Sequence, residues 1–330
     1  MSTIAVDAMG GDSAPEEVVK GAILAKKEGV DVILSGDENL IKSYLGNEKI
    51  PVINYPQVIS MDDDPAKAIR SNKDSSIIGA LNLVKEKKAD AVFSAGSTGA
   101  TLIGAISVLG KIKGVTRPTI ASVLPGKEKE VILVDSGANL EVKPKVLYQF
   151  AIMGSKLSEL LFDIENPRIG LINNGEESSK GRELEKATFK LLKSSQLNFI
   201  GNVEGKDFAN SKVDVFVTDG FTGNISLKTA EGTAKLFQSH LQDAFRSSII
   251  SKMGYFLSSL AMKSVRDRLD PRVHNCGILM GLNSLAVKCH GQSEYRGVSY
   301  AADIIYSLLE NNMNKKIHDF VFEMHSKLMN

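Results

Sequence analysis

The stretch Val213-Asp-Val-Phe-Val-Thr-Asp-Gly-Phe-Thr-Gly-Asn224, continued by Ile225-Ser-Leu-Lys-Thr-Ala-Glu-Gly232, decides how this chain is read. A β-branched run ends at Thr218. Asp219, Gly220, Thr222, Gly223 and Asn224 then make a turn, and a helical pattern starts at once. Strand, glycine-bearing loop and helix start in that order aim backbone N–H groups and the positive end of a helix dipole at whatever lies above the strand. An anion, phosphate above all, suits that place. One such loop carries little weight, because strand-to-helix turns need glycine on steric grounds alone. The same build recurs in Asp7-Ala-Met-Gly-Gly-Asp12, Ser94-Ala-Gly-Ser-Thr-Gly-Ala100, Asp135-Ser-Gly-Ala-Asn139 and Asn173-Asn-Gly-Glu-Glu-Ser-Ser-Lys-Gly181.

Around these loops strand and helix patterns alternate. Strand-like runs fall at 3–6, 31–35, 51–54, 90–93, 120–124, 131–134, 168–172, 197–200 and 213–218. Helical stripes fall at 15–27, 38–45, 74–88, 99–109, 144–161 and 182–193. Residues 277–289 read as one or two strands with a kink at Gly281, and the tail after Gly297 as helix, broken near 311–314. Such alternation predicts a three-layer α/β/α architecture with a mainly parallel sheet. No repeat or linker divides the chain, so a single domain over 1–330 is expected, with a projecting amphipathic helical segment at about 245–268. Ligands of open parallel sheets bind beyond the carboxyl ends of the strands. All five glycine-bearing loops are therefore expected on one rim.

Composition narrows the class. A hydrophobic fraction of 43% supplies a large core, and a formal net charge of +1 gives no argument for nucleic acid as a partner. Two cysteines, Cys276 and Cys289, are too few for a disulfide scaffold and fit a reducing cytosol. Cys289 reads as a core residue. The first residues carry no signal-peptide pattern, and no run approaches the ~20 apolar residues of a spanning helix. A cytoplasmic protein is expected. No Gly-x-Gly, no Gly-Lys-Ser/Thr, no Gly-x-Ser-x-Gly, no His-Glu-x-x-His and no Cys-x-x-Cys occurs. Their absence weighs against a dinucleotide dehydrogenase, a P-loop nucleotide hydrolase, a serine esterase and a zinc enzyme.

Within the loops several residues have two readings. Asp7, Asp135 and Asp219 at strand ends serve as turn caps or as ligand contacts. The pairs Ser97-Thr98 and Ser178-Ser179 serve as helix N-caps or phosphate contacts, and one residue can do both. Lys180 lies just where a helix is expected to begin, a place where a cation opposes the dipole. That suggests an anionic substrate, with an ion pair to Glu176 or Glu177 as the competing account. Between Asp243 and Asp267 there is no acidic residue, while Arg246, Lys252, Lys263 and Arg266 are basic. Ile250, Phe256 and Leu260 belong to an apolar stripe at helical spacing there. This segment suits a membrane surface, an acidic partner or a dimer interface.

Taken together these segments resemble the PlsX family of phosphate acyltransferases, along nearly the whole chain. The family's Asp-x-Met-Gly-Gly-Asp stands as Asp7 to Asp12, and its Ser-Ala-Gly-Asn-Thr-Gly-Ala as Ser94 to Ala100 with Ser97 for Asn. Gly-Ala-Asn is Gly137 to Asn139, and Asn-Ile-Gly-Glu-Glu…Lys-Gly is Asn173 to Gly181 with Asn174 for Ile. Asp-Gly-Phe-Thr-Gly-Asn is Asp219 to Asn224 unchanged, Lys-x-His-Gly is Lys288 to Gly291, and Met61-Asp-Asp-Asp-Pro-x-x-Ala-x-Arg70 also fits. Ser13 stands where many members carry His.

The resemblance implies a fold similar to that of the isocitrate/isopropylmalate dehydrogenases. It implies transfer of a long-chain fatty acyl group from acyl carrier protein to inorganic phosphate, for phospholipid synthesis. It implies Lys180 and Asn224 as catalytic residues. Asp7, Gly10, Gly11, Asp12, Ser97, Thr98, Asn139, Gly175, Glu176, Asp219, Thr222 and His290 are the expected phosphate or substrate contacts. Ile250, Lys252, Phe256, Leu260 and Lys263 are expected to meet an anionic membrane surface or the carrier. No metal and no organic cofactor is implied. A homodimer is, along with hand-over of product to a membrane glycerol-3-phosphate acyltransferase. Two rivals remain: a short-chain phosphate acetyltransferase using a coenzyme A thioester, and a non-catalytic anion-binding protein of the same fold.

Overall fold

The computed structural model describes residues 2–269 and 276–329, the side chains of 264, 266–269 and 322–329 excepted. Arg266, counted above among the cations, lies outside the described side chains. Among the described residues eleven strands form one continuous sheet. In chain order they are β1 (Thr3–Asp7), β2 (Asp31–Gly36), β3 (Val52–Asn54), β4 (Ala91–Ser94), β5 (Thr119–Pro125), β6 (Glu130–Val134), β7 (Ile169–Ile172), β8 (Phe199–Val203), β9 (Val215–Val217), β10 (Cys276–Met280) and β11 (Leu285–Cys289). Their spatial order is β3-β2-β1-β4-β11-β10-β5-β6-β9-β7-β8.

The helices are α1 (Glu16–Lys27), α2 (Glu38–Leu45), α3 (Pro65–Ser71), α4 (Ser76–Lys85), α5 (Thr98–Leu109), α6 (Pro144–Phe162) and α7 (Glu183–Lys193). They continue as α8 (Asp207–Asn210), α9 (Gly220–Arg246), α10 (Ile249–Leu257), α11 (Ser259–Leu269), α12 (Tyr295–Glu310) and α13 (Met313–Met329). The expected alternation holds except where β6 follows β5 and β11 follows β10 directly. Periodicity singled out neither the short α8 nor α3. Its cap, Asp64, accepts the Lys67 N–H, with Pro65 in the first turn.

The sheet is mainly parallel, as expected, but it is divided into two blocks. β3, β2, β1, β4 and β11 run parallel, as do β6, β9, β7 and β8. Between the two blocks, β10 is antiparallel to both β11 and β5, and β5 is antiparallel to β6. Three successive reversals leave the blocks pointing in opposite directions. The five loops therefore cannot share one rim. Those after β1 and β4 leave one edge of the sheet, and those after β6, β7 and β9 leave the other. The kink at Gly281 is the turn of the β10–β11 hairpin, where φ is +85°. That hairpin sets Cys276 directly opposite Cys289, and the two form a disulfide. Cys289 is buried as expected; its partner lay just outside the run read as strand.

Side chains alternate between the two faces of the sheet. One face carries the largest apolar cluster, with α1, α6, α12 and α13 packed on it. On the other face lie two separate clusters. One includes Ala5, Val92, Ala286 and Leu279 beneath α3, α4 and α5; the other includes Val131, Leu133 and Phe216 with Leu227 of α9. The site lies at the boundary between these two.

Candidate active site

Register brings together residues far apart in sequence. Asp7 is level with Ser94, Ser94 with Lys288, Lys288 with Gly277, and Gly277 with Ser122. In-register neighbours share a face of a sheet, so Asp7, Ser94, Lys288 and Ser122 form a polar row between the two apolar clusters. The Ser94 hydroxyl donates to Asp7 Oδ2 at 2.6 Å and accepts the Gly96 N–H at 3.0 Å. Asp7 is buried, and its Oδ1 has no hydrogen-bond partner among the described residues. Burial pushes the Asp7 carboxyl above its ordinary range, outweighing the hydrogen bonds it accepts. Lys288 makes no ion pair or side-chain hydrogen bond among the described residues. Burial, aided by the charge of Lys228, lowers its pKa to about 8.

The loops after β1, β4 and β11 close around this row. A Cβ at Gly10 would lie 2.6 Å from Asp7 Oδ2 and 2.7 Å from the Gly96 nitrogen, so only glycine allows the first two loops to touch. The Asp12 N–H donates to the Gly291 carbonyl at 2.7 Å, joining the first loop to the third. Ser97 caps α5, with Thr98 following in its first turn. His290 is half-buried and its Nδ1 accepts the Gln292 N–H at 3.2 Å. Burial first, then the cations Lys228 and Lys288, push its pKa down, so the neutral ring is favoured.

A second group forms on the other strand block. The Asp135 carboxylate accepts the N–H groups of Gly137, Ala138 and Asn139 and the Asn139 amide, so it is consumed as the cap of its own loop. Asn139 also donates to the Pro118 carbonyl at 2.8 Å. Asp219 caps α9 by accepting the Thr222 N–H at 2.7 Å, and its other oxygen is held by Arg182. Arg182 also binds Glu185, and those bonds, Glu185 first, push its pKa upward. Arg182 thus ties the start of α7 to the start of α9, a role sequence reading missed because the two residues lie 37 positions apart. Asn139 and Asp219 therefore brace their own loops with polar atoms that are already engaged. Asn224 is exposed, within about 3.6 Å of the position a Gly137 Cβ would take.

The loop before α7 corrects two readings. Helix α7 begins at Glu183 with Arg182 as its cap, so Ser178 and Ser179 cap nothing and Lys180 precedes the helix. Glu176 is paired with Lys212 at 3.0 Å, which removes it from Lys180 and leaves it little freedom for a ligand. The Lys180 ammonium has no ion pair among the described residues. Its stem lies over Gly175, where a Cβ would meet Lys180 Cγ at 2.9 Å.

Helix α9 links the two groups. Asn224, Lys228 and Glu231 stand at i, i+4 and i+7, on one stripe of the helix. Asn224 sits beside Gly137, while the charges of Lys228 and Glu231 reach Lys288 and His290. Lys228 pairs with Glu231 at 2.9 Å. Lys288, Lys228 and Ser94 were absent from the residues expected at the site. The one available signal was the Lys-x-His-Gly motif, in which His290 alone drew notice.

The expected membrane or partner contacts are spread along α10 and α11. No residue of α10 is buried; Ile250 is 83%, Phe256 78% and Leu260 84% exposed, and Lys252 and Lys263 are exposed with them. Among the described residues no helix is long and apolar enough to cross a membrane.

Comparisons with known proteins agree with this architecture. A family profile described as "Fatty acid synthesis protein" matches residues 2–316. A protein named "Phosphate acyltransferase" from Pelotomaculum thermopropionicum is 41% identical over 323 residues, covering 96% of this chain and 94% of its own. Another of that name, from Clostridium botulinum, is 43% identical, covering 96% and 99%. Among solved structures, the EutD phosphotransacetylase from Staphylococcus aureus shares the fold with a TM-score of 0.59 at 18% identity, over 93% of each chain. A 4-hydroxythreonine-4-phosphate dehydrogenase from Klebsiella pneumoniae does so at 0.54 and 13%, over 92% of this chain and 98% of that one. At those identities the likeness concerns the fold alone. With the profile spanning nearly the whole chain and full-length relatives above 40% identity, the chain belongs to the PlsX family of phosphate acyltransferases, enzymes of fatty acid and phospholipid synthesis.

Proposed function

We propose that this chain transfers a long-chain fatty acyl group from acyl carrier protein to inorganic phosphate, giving acyl phosphate for phospholipid synthesis. The observation that carries the reading is the row Asp7–Ser94–Lys288, an unpaired, half-buried cation beside glycine-rich loops, in a family named for phosphate acyl transfer. A phosphate oxygen attacks the thioester carbonyl. The C–O bond forms, the C–S bond breaks, and the carrier thiolate leaves with the electron pair and takes up a proton. Phosphate is already an oxyanion near neutral pH, so the acceleration comes from positioning and from stabilising charge on the carbonyl oxygen.

In this reading Lys288 supplies the charge that holds phosphate against the loops carrying Gly10, Gly11, Asp12, Ser97, Thr98 and His290. Asp7, held above the ordinary carboxylate range, retains a proton more readily and tolerates an anion beside it. Lys180 and Asn224, both exposed and uncommitted to ion pairs, polarise the carbonyl or orient the phosphate. Asn139, Asp219, Thr222, Gly175 and Glu176 brace the opposite wall. The chain acts as one domain in a homodimer. It is cytoplasmic, held at anionic membranes by α10 and α11, and passes its product to a membrane glycerol-3-phosphate acyltransferase.

Incubation with long-chain acyl carrier protein and labelled phosphate, with no added metal, tests this. A labile labelled acyl phosphate is the expected product; turnover only with a divalent ion, or none, would sink the reading. The second reading, short-chain transfer from a coenzyme A thioester, draws on the shared fold of the solved phosphotransacetylases. The bare apolar face of α10 favours the long-chain donor. Relative rates with the two donors separate them.

A further inference from the structure

The loop carrying Lys180 has a second side. Between the start of α6 and the outer face of α7 runs a groove of about 1280 Å³, with Lys143, Lys145, Lys186, Lys190 and Lys193 along it. Lys186, Lys190 and Lys193 stand at i, i+4 and i+7, so α7 turns three ammonium groups to one side. Among the described residues the one carboxylate lining the groove is Glu183, and it pairs with Lys186 at 3.3 Å. Lys143, Lys145, Lys190 and Lys193 are exposed and make no ion pair among the described residues. Like charges one helical turn apart weaken a helix, so packing does not account for them. Nor does overall basicity, because the whole chain carries a formal charge of only +1. The concentration is local.

Both walls of the groove continue into the site. The Asp135–Asn139 loop runs on to Lys143, the residue that precedes α6, and the Asn173–Gly181 loop supplies Ser178 and Ser179 to the lining. Phe189, Leu191 and Pro144 add apolar surface between the lysines. We propose that this groove docks an acidic helix of the carrier protein that presents the acyl thioester. The proposal rests on the reading that the donor is carried on a protein. A helix about 10–12 Å across fits a groove, and a carboxylate-lined helix complements its charge. A bilayer surface is flat and does not enter a concavity; the projecting α10 is the element shaped for that. A carrier seated here delivers its thioester beside Lys180.

The test reverses charge in the groove with Lys145→Glu plus Lys190→Glu, and neutralises it in a second variant with Lys190→Gln plus Lys193→Gln. Lys42→Glu on α2, outside the groove, is the control. Thermal melts check folding. Binding of long-chain acyl carrier protein, read by fluorescence anisotropy apart from turnover, is expected to weaken about tenfold in the reversed variant and less in the neutralised one. The salt dependence of binding should flatten in the same order, while the KM for phosphate and attachment to anionic vesicles stay as in the wild type. Unchanged affinity and salt dependence in both groove variants would overturn the proposal, as would loss of vesicle attachment in place of carrier binding. If the carrier binds in this charge-dependent way but no acyl phosphate forms, the docking surface stands and the proposed function falls. If acyl phosphate forms and the variants bind carrier normally, the reverse holds.

Discussion

Phe216 and Phe256 are the same side chain in opposite surroundings. Phe216 lies on β9, fully buried, its ring 4.3 Å from that of Phe208. Phe256 stands on α10, 78% exposed, with Leu257 and Leu260 still barer beside it. The sheet body follows the ordinary rule, with apolar surface removed from water at a gain of roughly 25 cal/mol per Å². The arm formed by the far part of α9 with α10 and α11 breaks it. Helix α9 spans 27 residues, yet its buried residues are Gly220, Gly223 and Leu227, all near its start. The same helix therefore borders the candidate site at one end and is a stalk at the other. Folding of a single chain explains the body. The arm leaves that apolar face uncovered by the rest of the described residues.

The sharpest test of that contrast is stability. Phe216→Ala should cost about 3–5 kcal/mol, the usual range for a buried aromatic, measured by urea unfolding. Phe256→Ala should stay within about 0.5 kcal/mol, as surface changes do. Equal losses would show that the arm is packed like the body. Next in size are the site residues at the root of α9 and beside it. Asn224→Ala and Lys180→Ala are each expected to lower turnover about 10²–10³-fold with melting unchanged, the usual cost of one lost contact to developing charge. Folded variants with near-normal rates would reject both assignments. Cys289→Ser should keep turnover, because no covalent step on sulfur is invoked.

On the arm, replacing Ile250, Phe256 and Leu260 with polar residues should release the protein from anionic liposomes while turnover in solution persists. Raised salt should weaken wild-type attachment, since surface charges are screened beyond ~8–10 Å. Dissociation of a dimer on substitution, with no liposome binding in the wild type, would instead make the arm a subunit interface.

The smallest expected effect concerns Lys288, and its two consequences have opposite signs. Its pKa falls to about 8 on folding, whereas the unfolded lysine stays charged to its ordinary value of 10.5. Between those values the unfolded state binds more protons, so this group makes stability rise with pH across that window. Over the same window the ammonium proposed to attract phosphate is lost, and the KM for phosphate should rise. Lys288→Met should remove both trends; a phosphate KM that is flat from pH 7 to 9 in the wild type would remove Lys288 from the site.

Much of this was legible in the chain. The helix at Glu38–Leu45 and the strands near Thr3, Asp31 and Val131 follow from apolar spacing between capping residues, all local signals. Asp219 before Gly220 and Thr222 reads as a helix start because a cap and its N–H lie three residues apart. The pairing of Cys276 with Cys289, the bridge from Arg182 to Asp219 and the row through Lys288 were not legible. Each depends on which strands lie side by side and in which direction. A parallel and an antiparallel neighbour present the same alternation of buried and exposed residues along one strand, so periodicity is blind to the reversals at β10 and β5. The chain alone determined that strands end in glycine-bearing loops suited to an anion. Tertiary structure alone decided which of those loops meet, because register is set by the cores on both faces of the sheet and slips by one residue only by turning every side chain over.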